Sequence, residues 1–163
     1  MAVDMFLEVE KLSGESQDKV HKDHIQILGW SWAVAQTGTS STGGGASAGK
    51  SEHNDLEVRK VIDRASPVLY QWCASGVHIG FVNLTVRKAG GDSLEYLVIR
   101  LEDVIITSFD VGGEPKDDQI QETIRLNYAR ASLTYTPQEA GGMGGAKISG
   151  GWNLKENAPF LPA

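Results

Sequence analysis

The sequence predicts a mainly β protein, in which a two-sheet β-barrel or sandwich carries one packed α-helix. Three observations predict this fold class. Seven or eight segments alternate apolar and polar residues at the two-residue period of a strand, and only one segment has helical spacing. Most of the 19 glycines lie between these segments. The length of 163 residues and the 40% hydrophobic content indicate a single domain over residues 1–163.

The first predicted strand extends over residues 3–9, where apolar side chains occupy alternate positions. Residues 10–23 are polar and predict a loop. The strand pattern returns over residues 24–36, but its phase shifts at Leu28-Gly29, which indicates a β-bulge. Residues 37–54 contain no large apolar side chain. Such a long connection within a domain usually has a function or is disordered, so we expect it to be functionally important.

The predicted helix follows a strand-like pattern over residues 56–62. Ser66 can cap the helix, and the fixed φ of Pro67 suits the first helical position. Gly76 is a typical C-terminal stop, because glycine adopts the left-handed conformation without steric cost. These signals predict one helix of at most about three turns.

All of the chain after this helix has strand and turn patterns. The predicted elements are a strand around Val82, Leu84 and Val86, a turn at 89–92, a long strand over 94–111, a strand over 120–135, a glycine-rich loop over 139–151 and a short end segment at 152–154. Leu133 and Tyr135 continue the 120–135 strand in the opposite phase.

Charge and composition exclude several classes of protein. The net charge is −6 and the 15 Lys and Arg residues are scattered, which argues against binding nucleic acid. Cys73 is the only cysteine, so no internal disulfide is expected, and we predict that it is a small buried residue. The N-terminus lacks a signal-peptide pattern, and no apolar run approaches the roughly 20 residues needed to span a bilayer. We therefore expect the chain to fold in the cytoplasm.

Residues 44–51 match the phosphate-loop pattern G-x-x-x-x-G-K-[ST]. In a true phosphate loop a strand leads into the loop and a helix follows it, because the helix N-terminus helps to bind the phosphates. Here polar residues precede the match and a strand-like pattern follows it. We therefore attribute the match to the Gly, Ser and Ala content of the segment and predict no cofactor.

No set of residues predicts catalysis or a metal site. His21, Asp23 and His24 are close in sequence, but no further ligands accompany them, and we interpret the histidines as solvated surface residues. The segment 29–33 resembles a nucleophile elbow, yet its strand pattern continues beyond the serine. Neighbouring carboxylates at 102–103 alternate sides of a strand and cannot converge on one bond. The chain is therefore predicted not to be an enzyme.

The pattern around two tryptophans predicts a strand with unequal faces. Trp30 and Trp32 point to one side and form a predicted aromatic core face. Gly29, Ser31 and Ala33 point to the other side. Because these three residues are small, that side is expected to line a smooth surface or an opening.

Short segments in a specific order carry a resemblance that covers nearly the whole chain. They are Ala2-Val-Asp-Met-Phe-Leu, Gly14-Glu-Ser-Gln-Asp-Lys, Ile27-Leu-Gly-Trp-Ser-Trp, the glycine-rich loop, Ser66-Pro-Val-Leu-Tyr with Cys73-Ala-Ser-Gly-Val-His, Leu84-Thr-Val-Arg-Lys-Ala-Gly-Gly and Gly151-Trp-Asn-Leu. With these segments the sequence resembles the haemolysin-coregulated protein (Hcp) family, the tube subunits of bacterial type VI secretion systems.

The resemblance implies a fold, partners and a location. The implied fold is a β-barrel of two sheets with one helix, and six copies are expected to close into a ring with a channel. Rings are expected to stack into a tube. The implied partners are other copies of the chain, small effector proteins inside the channel and other components of the secretion system. The protein is expected to be cytoplasmic when assembled and to be secreted by the machine without a signal peptide.

The resemblance also implies roles for particular residues. Segment 37–54 looks like the extended loop of the family, which reaches an adjacent ring. The ring-stacking residues predicted from this loop are Thr39, Gly44, Lys50, Glu52 and Asn54. The predicted channel-facing residues are Gly29, Ser31 and Ala33. Two alternatives remain open, namely a stand-alone secreted β-sandwich that binds a ligand and a nucleotide binder that uses residues 44–51.

Overall fold

The computed structural model describes residues 2–38, 49–89 and 93–162, and it confirms a mainly β fold with one helix in this part of the chain. In chain order the elements are β1 Val3–Val9, β2 Ile25–Gln26, β3 Gly29–Ser31, β4 Val34–Ala35, β5 Glu52–His53, β6 Leu56–Val61, α1 Ser66–Ser75, β7 His78–Lys88, β8 Glu95–Gly112, β9 Gln121–Tyr135, β10 Ile148–Asn153 and β11 Ala158–Pro159.

The long strands β8 and β9 organise a nine-stranded antiparallel sheet in the order β11-β10-β9-β8-β7-β1-β2, with β3 and β6 joined to it through β9. Residues 121–126 of β9 pair with β6, whereas residues 130–135 pair with β10. The first half of β9 therefore lies beside β6 and the second half beside β10, with β8 along its other edge. The sheet does not close into a barrel, and the sandwich form of the prediction is confirmed.

The hydrophobic core is built from the inward faces of β1, β6, β7, β8 and β9 and from one side of α1. Its fully buried leucines are Leu7, Leu56, Leu69, Leu84, Leu101 and Leu126. Burying one such side chain stabilises the fold by about 1.5–3 kcal/mol. Val82, Leu84 and Val86 are buried as predicted, but the strand is not strictly alternating, because Thr85 and Arg87 on its other face are buried as well.

The helix ends as predicted but begins differently. Gly76 has φ 69°, and its N–H bonds the last turn of Ser66–Ser75. The predicted serine cap is wrong, because the N-cap residue is Ala65 and no side chain caps the helix. Ser66 is instead the first helical residue, and its hydroxyl donates to Glu122 Oε1 at 2.7 Å. The Ser66 hydroxyl is therefore hydrogen-bonded to a buried carboxylate and does not cap the helix.

The single strand predicted over residues 24–36 is three short strands. β2 pairs with β1, β3 pairs with β6, and β4 pairs with β5. The phase shift at Leu28-Gly29 marks the change of partner and not a bulge, since Ile27 N–H bonds the Met5 carbonyl whereas Leu28 N–H bonds that of Arg59. The chain crosses here from one side of the fold to the other.

The second glycine-rich loop is shorter than predicted, because β10 begins at Ile148. Gly151 lies within that strand, and a Cβ atom there would be only 2.1 Å from the Phe160 carbonyl oxygen. Glycine is needed at this position because the last strand passes so close. Cys73 is partly buried and packs against the core. Of the turn predicted at 89–92, the structure describes only residue 89.

Candidate functional site

A small hairpin stem holds both ends of the long glycine-rich segment. Val34 pairs with His53 and Ala35 pairs with Glu52, so that β4 and β5 form a two-stranded sheet separate from the large one. At its base, Asn54 N–H donates to the Ala33 carbonyl at 3.0 Å. The stem therefore fixes where the segment leaves and re-enters the body of the protein.

A buried tyrosine anchors the stem to the core. Trp32 Nε1 donates to the Tyr128 hydroxyl at 2.7 Å, and that hydroxyl donates to the Asn54 carbonyl oxygen at 2.9 Å. Burial raises the pKa of Tyr128, which favours the neutral hydroxyl that both bonds need. The His53 ring packs edge-on against Tyr128, and burial lowers the pKa of His53. We call Trp32, Tyr128 and Asn54 the stem anchor.

The predicted ring-stacking residues lie in and around this stem. Thr39 and Gly44 lie outside the described residues. Lys50 is exposed and belongs to no helix or strand, Glu52 is exposed on β5, and Asn54 is exposed at the stem base. Glu52 thus lies on the stem and Asn54 at its base, and the contact of either residue with another ring stays a prediction.

The surroundings of the phosphate-loop match are those of a β-hairpin. Within residues 49–62, which the structure describes, there is no helix. The Ser51 hydroxyl lies 2.9 Å from His53 Nε2, and β5 starts at Glu52. The strand predicted after the match is confirmed, and the helix N-terminus that would bind phosphates does not follow it.

The predicted channel-facing residues differ in their surroundings. Ser31 and Ala33 are exposed, whereas Gly29 is buried beneath a side chain of β6. A Cβ atom on Gly29 would be 2.3 Å from Arg59 Nη2, so glycine leaves room for that guanidinium. Trp30 and Trp32 are partly buried against the core, as predicted. Whether the small residues face a channel stays a prediction.

Ser31 is part of a larger polar face that the sequence reasoning missed. Glu57 is its cross-strand partner, and Arg125 Nη2 donates to the Glu57 carboxylate at 2.9 Å. Asn127 donates to Asp55 Oδ1 at 3.0 Å beside them. Ser31, Asp55, Glu57 and Arg125 border a cavity of about 510 Å³. The alternate polar residues of β6 and β9 could have predicted this face, because alternate side chains of a strand point to the same side.

An apolar groove of about 590 Å³ lies next to the stem. The side chains that define it are Trp32, Val34, Leu133, Tyr135, Ile148 and Trp152. Leu133 is 41% exposed, yet it is the cross-strand partner of the fully buried Ile99. The groove is therefore the core face of the sheet extended past the region that the rest of the described residues cover. Apolar surface of this kind typically marks a contact site.

A second apolar surface lies around the helix. It comprises Ile62, Tyr70, Val111 and Ile120, all of which are exposed. Tyr70 is 63% exposed, and its ring packs edge-on against Phe109 at 6.0 Å between centroids. We call this the helix-side patch. It lies at the beginning of β9, whereas the apolar groove lies at the end of the same strand.

The interpretation of the histidines in 21–24 as solvated is wrong for His21, whereas His24 is partly exposed. His21 is only 7% exposed and stacks on Phe6 at 4.5 Å. Its Nε2 atom lies 2.5 Å from Glu95 Oε1 on β8, a partner 74 positions away that local sequence could not show. Among the described residues, no group of three or more His, Cys, Asp or Glu side chains is arranged to hold a metal ion.

The loop that carries His21 is also held by an ion pair. Arg87 Nη2 on β7 lies 2.5 Å from Asp18 Oδ2 and 3.1 Å from Asp4 Oδ2. The Arg87 guanidinium holds the pKa of Asp18 well below its usual range, and Asp18 raises the pKa of Arg87. Both groups therefore stay charged under ordinary conditions.

Comparison with known protein families and sequences gives a consistent result. A family model described as "Type VI secretion system effector, Hcp" matches residues 6–135. Protein hcp1 of Pseudomonas aeruginosa is 42% identical over 159 residues, which cover 96% of this chain and 98% of that protein.

Solved structures similar to this fold carry related names. Hcp1 from Salmonella typhimurium has a TM-score of 0.83 and 34% identity over 98% of this chain and 100% of that one. A structure named as a type six secretion system protein has a TM-score of 0.92 and 30% identity with the same coverage. A type VI secretion system effector from Yersinia pestis has a TM-score of 0.75 and 35% identity over 92% of this chain and 99% of that one.

Proposed function

Because this chain belongs to the Hcp family of type VI secretion proteins, we propose that it is a structural subunit of the secretion tube. Six copies close into a ring, and the rings stack end to end. The observation that carries this proposal is the similarity to Protein hcp1, which extends over 96% of the chain and so includes the stem and both apolar surfaces. Hcp proteins are a secreted, structural family and not an enzyme family.

Two unlike apolar surfaces support ring formation. A closed ring of identical subunits needs contacts in which one surface of each copy meets a different surface of the next. The apolar groove and the helix-side patch lie at opposite ends of β9 and are both exposed. In the ring, the helix-side patch of one copy packs into the groove of its neighbour.

The stem supports a role in stacking rings. Its anchor fixes the direction in which the glycine-rich segment leaves the body, while Lys50 and Glu52 stay exposed beside it. We place the contact with an adjacent ring on this segment, with Asn54 at its base. Thr39 and Gly44 belong to the same proposed contact.

The polar face supports a channel lining that carries small effector proteins. Ser31 and Ala33 are small and exposed, and the neighbouring charges of Glu57 and Arg125 neutralise each other. Such a surface stays hydrated and binds cargo weakly enough to release it. Replacing Ser31 with Gln should leave the rings intact and change the proteins that co-purify with them, as identified by mass spectrometry. Unchanged cargo would remove Ser31 from the lining.

The ring itself is tested by light scattering after size-exclusion chromatography and by negative-stain electron microscopy. We expect a mass six times that of the 17.6 kDa chain and six-fold symmetric particles with a central opening. A monomer at high protein concentration would contradict the tube proposal.

The apolar groove also favours a second candidate, a secreted β-sandwich that binds an apolar ligand. The volume of about 590 Å³ is within the range of small-molecule sites. Binding of a fluorescent apolar dye distinguishes the two candidates. A ligand-binding protein takes up the dye as a monomer at any protein concentration. A tube subunit loses dye binding as its rings form, because a neighbouring copy then covers the groove.

A further inference from the structure

The cavity of about 510 Å³ on the polar face contains one carboxylate that differs from the other charged groups around it. Ser31 and Ala33 border the cavity with small side chains, which leave it open on their side. Asp55, which directly precedes β6, borders it with a partly buried carboxylate. We call this cavity the polar recess.

Two uncharged donors hold the Asp55 carboxylate in place. The Asn127 side-chain amide donates to Asp55 Oδ1 at 3.0 Å, and the Thr107 hydroxyl donates to Asp55 Oδ2. Both donors orient the carboxylate, but neither has a charge that would cancel its own. Each carboxylate oxygen can accept a second hydrogen bond. The group is therefore fixed in position and still able to bind a further donor.

The charges around the polar recess leave Asp55 without a cationic partner. Arg125 Nη2 donates to Glu57 Oε2 at 2.9 Å, and Arg125 Nη1 lies 3.7 Å from Asp110 Oδ2, so two other carboxylates share the one guanidinium. In residues 2–38, 49–89 and 93–162, no Lys, Arg or His forms a salt bridge with Asp55. His53 also borders the recess, and burial lowers its pKa, which favours the uncharged ring.

The charge of Asp55 acts on a neighbouring group inside the protein. Burial is the main cause of the raised pKa of Tyr128, and the negative charge of Asp55 raises that pKa further. Partly buried charges are screened less by salt than exposed ones. A cation that enters the recess therefore meets a carboxylate whose attraction the solvent only partly weakens.

We propose that the polar recess binds a cationic side chain, the ammonium of a lysine or the guanidinium of an arginine, with Asp55 as its counter-ion. The Ser31 hydroxyl and the Glu57 carboxylate border the same recess and can accept further N–H groups of the ligand. An anionic ligand is disfavoured, because the guanidinium at the recess is already shared by two carboxylates. In the proposed tube the recess opens into the channel, so basic side chains as the class of cargo group rest on the proposed function.

A single recess binds weakly, and a ring presents one recess on every subunit. A partly exposed ion pair changes a binding constant by about five-fold or less. A cargo protein with several basic side chains can occupy several recesses at once, which raises its overall affinity without a new kind of contact. Each single contact still dissociates readily, so the cargo is retained and can also be released.

Fluorescence anisotropy with two labelled peptides tests the charge preference of the recess on the purified protein. Octalysine should bind, and its affinity should fall as the NaCl concentration is raised from about 20 to 200 mM, because salt screens the attraction. Octaglutamate with the same label should not bind. Tighter binding of octaglutamate than of octalysine would overturn the proposal.

Matched variants separate the recess from the overall negative charge of the protein. Asp55→Asn keeps the shape of the side chain and should weaken octalysine binding by about three- to five-fold at low salt. Asp118→Asn removes the same charge from an exposed position outside the recess and should leave the affinity unchanged. Ser31→Lys places an ammonium group in the recess and should also weaken binding, which keeps the test valid where Asp55→Asn loosens the stem. An unchanged affinity in both recess variants, or an equal loss in Asp118→Asn, would overturn the proposal.

Light scattering on the same samples distinguishes failure of the recess from failure of the tube. The recess is formed within one subunit, so the loss of binding in Asp55→Asn is expected for monomers and rings alike. A monomer that binds octalysine through Asp55 would contradict the tube proposal and support the recess. Rings whose affinity for octalysine does not depend on Asp55 would contradict the recess and leave the tube proposal intact.

Discussion

A buried lysine joins three elements of the fold at one point. The Lys60 and Glu122 side chains are fully buried and paired, and Lys60 Nζ also lies 2.9 Å from Asp63 Oδ1. Ser66 at the start of α1 bonds both members of the pair. These contacts connect β6, β9 and the helix. A buried ion pair adds little net stability over apolar residues, but a single buried charge without its partner is costly.

This contrast gives a prediction at the scale of one residue. Lys60→Met should lower the free energy of unfolding by about 3–5 kcal/mol, because it leaves the Glu122 carboxylate buried without its positively charged partner, with the Ser66 hydroxyl still bonded to it. The double variant Lys60→Met with Glu122→Leu should recover most of the loss. Urea unfolding at one fixed protein concentration measures both. Lys116→Met, at an exposed ion pair, is the control and should change stability by less than about 0.5 kcal/mol. Equal losses in the single and double variants would contradict the explanation.

Residue roles that depend on distant partners could not be predicted from the sequence. Ser66 has the spacing of a helix cap, but Glu122, 56 positions away, takes its hydroxyl. His21 has the look of a surface residue until Glu95 and Phe6 are placed beside it. Gly76, whose role depends only on its own backbone, was predicted correctly.

The stem depends on one hydroxyl for its position. Tyr128→Phe leaves the Trp32 N–H and the Asn54 carbonyl without this partner, which should lower the free energy of unfolding by about 1–3 kcal/mol. Hydrogen exchange in peptides covering 50–56 should become faster. Tyr135→Phe, at an exposed ring, is the matched control and should change neither quantity. Unchanged exchange in Tyr128→Phe would show that the stem is held by other contacts.

The same hydroxyl gives the stem an alkaline limit. Burial raises the pKa of Tyr128 above that of a tyrosine in the unfolded chain, so its stabilising effect is complete below about pH 10 and is lost as pH rises through the higher folded value. Thermal unfolding followed between neutral pH and alkaline pH should therefore show a steeper alkaline loss in the natural chain than in Tyr128→Phe. Parallel curves would mean that Tyr128 ionises equally in both states.

Elements were predictable where their pattern was long. The strands β1, β7, β8 and β9 and the helix are periodic over seven residues or more, and the sequence predicts all of them. The short strands β2, β3 and β4 have two or three residues each, and their existence depends on which partner lies beside them. Periodicity over 24–36 could indicate a break but not three different partners.

At the scale of the whole molecule, the proposed ring contact can be tested by mixing two defective subunits. Leu133→Glu places a charge in the apolar groove, and Tyr70→Glu places one in the helix-side patch. Each variant alone should be monomeric, because either change interrupts every contact of the ring. Light scattering on an equimolar mixture should show dimers and nothing larger, since only one intact groove can meet one intact patch.

The control for the mixing experiment is Lys116→Glu, an exposed position outside both surfaces, which should still form rings. Circular dichroism of Leu133→Glu and Tyr70→Glu should match that of the natural chain, because both residues are exposed. Rings that persist in either variant would place the contact elsewhere on the subunit while leaving the tube proposal intact.

The continuity of β9 between the two apolar surfaces has a mechanical consequence. In the proposed ring, a force passed from one subunit to the next would enter each copy near one end of this strand and leave near the other. Tension applied at the two ends of one strand is carried by its covalent backbone, and the hydrogen bonds to β8, which run across the strand direction, keep that strand extended. In the proposed ring, the subunit would therefore be stiff against stretching along the circumference.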